Sequence, residues 1–158
     1  MIGFGFRAVA LSAFVLFLSA LPVSAANLLV TTFAGAQTFT TAGNLKLFKS
    51  GSFTQSFFSQ QAETVMISFS AMCSTTGTTN QFTNLKILVD GNPVYPTGQP
   101  TYVFCSVGGT TAIADGQTTV TLLTAKAVTA GNHNIQAVVT PQNGGTSRIT
   151  NLSLIVWN

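Results

Sequence analysis

Apolar side chains recur at every second position in one segment of this chain after another, and no segment of useful length follows the 3.6-residue period of a helix. The run 63–74 shows the pattern most fully, with Val65, Ile67, Phe69, Ala71 and Cys73 alternating with Met66, Ser68, Ser70 and Met72. Successive strand side chains point to opposite faces, so the run predicts one buried and one partly wet face, with Cys73 turned to the core. Two further runs, 135–140 and 149–157, are separated by Pro141, Gly144 and Gly145 and read as antiparallel strands joined by a loop. Their register follows: Ile135, Ala137 and Val139 share one face, as do Leu152, Leu154 and Val156.

The rest of the chain has the same form. Strands are expected at 27–33, at 85–89 and at 117–127, where Val120, Leu122 and Thr124 oppose Thr121, Leu123 and Ala125. Asp90-Gly91-Asn92 reads as a turn, since Gly91 tolerates the positive φ of hairpin connections. Pro93, Pro96 and Pro100 keep the following segment out of a central strand until 101–107. Within 38–48, Leu45 and Leu47 face one way and Lys46 and Phe48 the other. Within 52–58, Phe53 and Phe57 share a face, and the absence of charge suits a buried strand better than an exposed edge. Roughly eight to ten strands at this spacing predict an all-β sandwich, jelly-roll-like first and immunoglobulin-like second.

Composition agrees with strands. Only 6% of the residues are charged, and the polar positions hold mainly Thr, Ser, Gln, Asn and Gly rather than helix-forming Glu, Lys and Arg. Residues 1–25 read as a secretory signal peptide, with Arg7 ahead of an apolar stretch, a break at Pro22 and small residues at Ser24 and Ala25. Residues 26–158 are then a single domain of a secreted, periplasmic or cell-surface protein, with no membrane span once the leader is cleaved. The net charge of +3 falls to +2 without Arg7, and the remaining cations are scattered, which argues against a nucleic-acid partner.

Cys73 and Cys105 are the only cysteines, and in an exported chain an even count favours a disulfide between neighbouring or facing strands. The catalytic inventory is small. Glu63, Asp90 and Asp115 are the only acids, the two aspartates in Asp-Gly turns, so a carboxylate dyad has little to build on. His133, the single histidine, sits where a strand begins and reads as a turn or strand-edge residue, with no companion to hold a metal. Calcium would need more oxygens than either Asp-Gly turn offers. Neither an enzyme nor a bound cofactor is expected.

Aromatic side chains are the remaining handle. Tyr95, Tyr102, Phe104 and Trp157 are candidates for a ligand or partner surface, because aromatic faces stack on sugar C–H while Asn and Gln bond hydroxyls. With Val103 and Cys105 inward, Tyr102 and Phe104 face the other way.

The closing pattern of Ala130-Gly131-x-His133, then Gly144-Gly145 and Leu152-x-Leu154-x-Val156, together with the turn at 89–91, resembles bacterial exported jelly rolls of the complement-head and tumour-necrosis-factor-like shape. That resemblance implies a jelly roll that forms trimers. The expected function is a non-enzymatic exported sandwich acting by surface contact, as a structural, adhesion or assembly component that self-associates or meets a protein partner. A carbohydrate-binding module is the alternative.

Overall fold

A computed structural model describes residues 26–48, 50–77, 81–94, 102–106 and 118–158. The leader and its cleavage site before Ala26 therefore lie outside the described residues, as do Tyr95 and Asp115. Among the described residues eleven strand segments follow in chain order: β1 (Asn27–Phe33), β2 (Gln37–Phe39), β3 (Gly43–Asn44), β4 (Gln55–Ser59), β5 (Glu63–Thr76), β6 (Phe82–Val89), β7 (Asn92–Val94), β8 (Tyr102–Ser106), β9 (Thr118–Val128), β10 (Gly131–Pro141) and β11 (Thr146–Trp157).

They form two antiparallel sheets. The first has the order β1-β11-β5-β9, with β2 continuing the β1 edge of β11. The second runs β3-β10-β6-β7, with β4 also beside β10 and β8 beside β6. With β1, β4, β5, β6, β8, β9, β10 and β11 taken as the eight longer strands, almost every connection crosses between sheets, which is jelly-roll interleaving.

The alternating positions meet between the sheets. Val65, Ile67, Phe69, Ala71 and Cys73 face Leu85, Ile87 and Val89, and all are buried. Ile135, Ala137, Val139, Leu152, Leu154 and Val156 are buried beside them, as their period-two register requires. Leu45 and Leu47 are buried and Phe48 is exposed, as expected. Asp90 and Gly91 both have positive φ, 51° and 75°, and join β6 to β7 in a two-residue hairpin. Pro93 pairs opposite Leu88 on the short edge strand β7, a position that leaves its missing N–H harmless.

Two expectations fail for identifiable reasons. The segment containing Phe57 is an edge strand, not a buried one: β4 begins only at Gln55, so Phe57 is buried while Phe53 stays 45% exposed. In β8 a bulge places Cys105 opposite Thr83 but Val103 opposite Asn84. The extra residue puts Phe104 on the core side together with Cys105 and turns Val103 out, at 52% exposed.

The disulfide joins Cys73 on β5 to Cys105 on β8, so it ties one sheet to the other. Its Cα–Cα distance of 6.1 Å is ordinary for a bridge. Such a bridge fits an oxidising, extracytoplasmic compartment. Beside it runs a buried hydroxyl chain: Thr75 Oγ1 lies 3.2 Å from Cys105 Sγ and 2.7 Å from Thr83 Oγ1, which in turn meets Ser147 Oγ. Among the described residues no helix is long and apolar enough to cross a membrane.

Candidate functional site

The four aromatic candidates do not form one platform. Phe104 is 2% exposed and packs edge-on against Phe69, with ring centroids 5.5 Å apart. Trp157 lies on the outer face of the first sheet, paired with Met66. Tyr95 and the side chain of Tyr102 lie outside the described residues. The bulge in β8 explains the loss of Phe104, because it removes the strict alternation on which its outward placement rested.

At one end of the sandwich the ionisable side chains of His133, Asp90 and Glu63 are all hydrogen-bonded, the first two to each other. His133 is buried on the same face as Ile135 rather than sitting at a strand edge. Its Nδ1 is 2.7 Å from Asp90 Oδ2, and its Nε2 is 2.9 Å from the Thr129 carbonyl. Phe57 tilts against the ring at a centroid distance of 5.3 Å. A carbonyl and a carboxylate can only accept, so both ring nitrogens donate and the imidazolium is the species that satisfies both bonds. The hydrogen bond to Asp90, supported by the Thr129 carbonyl, raises the His133 pKa against the opposing effect of burial.

Partial desolvation would lift the Asp90 carboxyl. The bonds from His133 and the Asn134 N–H, with the charges of His133 and Lys126, outweigh it and hold the group below the usual carboxylate range. Glu63 is likewise held low, first by Ser59 and then by Asn158. Both carboxylates thus act as acceptors that fix turns and strand ends. Among the described residues no cluster of three His, Cys, Asp or Glu side chains could hold a metal.

The outer face of the first sheet has a different character. The register aligns Val30, Ile155, Ser68 and Leu123 in one row across all four strands, and Thr32, Ser153, Ser70 and Thr121 in the next. On the other side of the first row come Trp157, Met66 and Ala125, then Thr64 and Ala127. None of these side chains ionises. Val30 and Leu123 are 57% and 55% exposed, so the two outermost strands carry apolar groups into solvent where charges usually guard an edge.

At the far end of this face the sheet is interrupted, and a groove of about 800 Å³ opens. β1 and β2 pair with successive parts of β11, and the connector carrying Ala34 and Ala36 forms one wall of the groove between them. Opposite it, β11 has a bulge between Thr150 and Ser153, with Asn151 in the left-handed region at φ 49°. Thr38, Arg148 and Ser74 form a cross-strand row on the floor, and Thr146 and Thr76 form the next. Arg148 is the one charged side chain lining the groove among the described residues. Nothing in the sequence marks it, since its neighbours Thr38 and Ser74 reach it only through long-range pairing.

No protein-family model matches the sequence, and no curated protein is significantly similar to it. Among solved structures, the chain is similar to dimeric latent PorU from Porphyromonas gingivalis at 9% identity and a TM-score of 0.42. That similarity covers 86% of this chain and 14% of the other, so the chain spans about a seventh of that protein's length.

Proposed function

We propose that this protein is a non-enzymatic, exported β-sandwich that works by surface contact, and that the contact is the outer face of the first sheet meeting a second copy of itself. The uncharged rows through Val30, Ile155, Ser68 and Leu123 carry this reading. A chain with net positive charge repels its own copies over most of its surface, but rows without ionisable groups, set away from Arg148, remove that penalty where the copies meet. A two-fold contact also brings each apolar edge of the face against the same face of its partner. Membership of the complement-head and tumour-necrosis-factor-like family would make the assembly a trimer instead.

Sedimentation velocity over a wide concentration range tests the reading. The native protein is expected to self-associate, and Leu123→Lys, which places like charges in the contact, is expected to remain a monomer. A native protein that stays monomeric at high concentration contradicts it.

A further inference from the structure

We infer that the groove at Arg148 binds a carboxylated sugar, a uronate unit of an acidic glycan, with the Arg148 guanidinium holding the carboxylate. The first support is the placement of charge. Arg148 projects from β11 between Thr38 on one side and Ser74 on the other, and no carboxylate pairs with it among the described residues. Glu63 lies on the same strand as Ser74 but eleven residues away, roughly 35 Å at strand rise. Asp90 is at that distant end too: it bonds His133, whose partner Phe57 shares β4 with Ser59, and Ser59 bonds Glu63. That distance exceeds the screening length at physiological salt several-fold, so these acids do not neutralise the guanidinium.

The lining chemistry narrows the class of anion. The floor offers hydroxyls from Ser74 and Thr146, with Thr76 bonded to the Thr146 carbonyl, and the side-chain oxygen of Asn151, whose Nδ2 donates to Met72 Sδ at 3.2 Å, while Ala34 and Ala36 supply apolar patches. Sugar rings present that same mixture of hydroxyls and C–H surface. The backbone beneath is committed to pairing, since β11 is bonded to β2 on one side and β5 on the other. Around Arg148, from Ser147 to Ile149, it therefore provides neither a nest of free N–H groups that gathers phosphate nor an open strand edge that takes up an extended peptide. What remains is recognition by side chains, in which a planar guanidinium matches a carboxylate through two parallel hydrogen bonds. The left-handed Asn151 and its bulge sit at the concavity, as bulges beside binding sites do.

The groove lies beyond the uncharged rows, so its binding is separable from the self-contact proposed above. Calorimetric titration of the purified protein with oligogalacturonate, with neutral galactose oligomers as the control, tests the assignment. Oligogalacturonate is expected to bind and the neutral oligomer not to bind. Arg148→Gln should weaken binding about tenfold to a hundredfold, and Arg148→Lys should recover part of that loss, since a charge without the planar fork keeps only one element of the recognition. Leu123→Lys should bind like the native protein, which separates failure of the groove from failure of the self-contact. Unchanged melting temperatures will show that the exposed Arg148 is being tested for binding rather than for folding. Absence of uronate binding, equal binding of the neutral oligomer, or native affinity in Arg148→Gln would each overturn the inference. Arg148-dependent capture of a peptide's free C-terminal carboxylate in place of the uronate would also overturn it.

Discussion

His133 and Asp90 meet at 2.7 Å across the junction of the β6–β7 turn and β10, with the second nitrogen of the ring committed to the Thr129 carbonyl. The pair latches one end of the sandwich. Its pH dependence follows from the direction of each shift. The raised His133 pKa contributes stability that is complete below the ordinary histidine value near 6.5 and is lost as pH rises through the raised one. The lowered Asp90 pKa contributes stability that is present above the ordinary aspartate value and is lost as pH falls through the lowered one. The latch is therefore strongest between about pH 4 and 6.5. Thermal melts of native protein and His133→Gln should differ most in that interval and converge at alkaline pH. The difference is expected to be about 1 kcal/mol, because the Asp90 side chain is 44% exposed and screened by water.

Thr83 links the hydroxyls of Thr75 and Ser147 inside the protein, and Thr83 and Ser147 are fully buried. Thr83→Val keeps the shape but removes the shared partner. A loss of about 1–3 kcal/mol in urea unfolding is expected, with an unchanged m-value. A neutral outcome would mean that the chain of hydroxyls contributes nothing net.

The bridge between Cys73 and Cys105 closes a loop of 32 residues between the two sheets. Alkylation of the unreduced protein should find no free thiol. Replacing both cysteines by alanine should lower stability by about 3–4 kcal/mol.

The bulge in β8 makes opposite predictions for neighbouring residues. Phe104→Ala should cost about 3–5 kcal/mol, since it empties a site against Phe69. Val103→Ala should change stability by less than about 0.5 kcal/mol, since Val103 faces solvent. The reverse ranking would restore the strict alternation that the bulge breaks.

These cases show where the sequence is legible and where it is not. Period-two alternation is a local property, so the faces of β5, β6, β9, β10 and β11 and the turn at Asp90-Gly91 can be read directly. Extending the Ile135, Ala137, Val139 face two residues back also turns His133 inward, a signal present in the sequence. Bulges break the alternation by one residue and carry no strong local signature, which is why Phe104 and Asn151 escape such a reading. The Arg148 groove escapes it because Thr38, Ser74 and Arg148 come together only through pairing between strands far apart in the chain.

Trp157, the single tryptophan, lies in the uncharged rows of the outer face beside Met66 and reports directly on the proposed self-contact. Its emission should shift to shorter wavelength as the native protein is concentrated, with Leu123→Lys showing no shift over the same range. An emission maximum independent of concentration in the native protein would contradict the account.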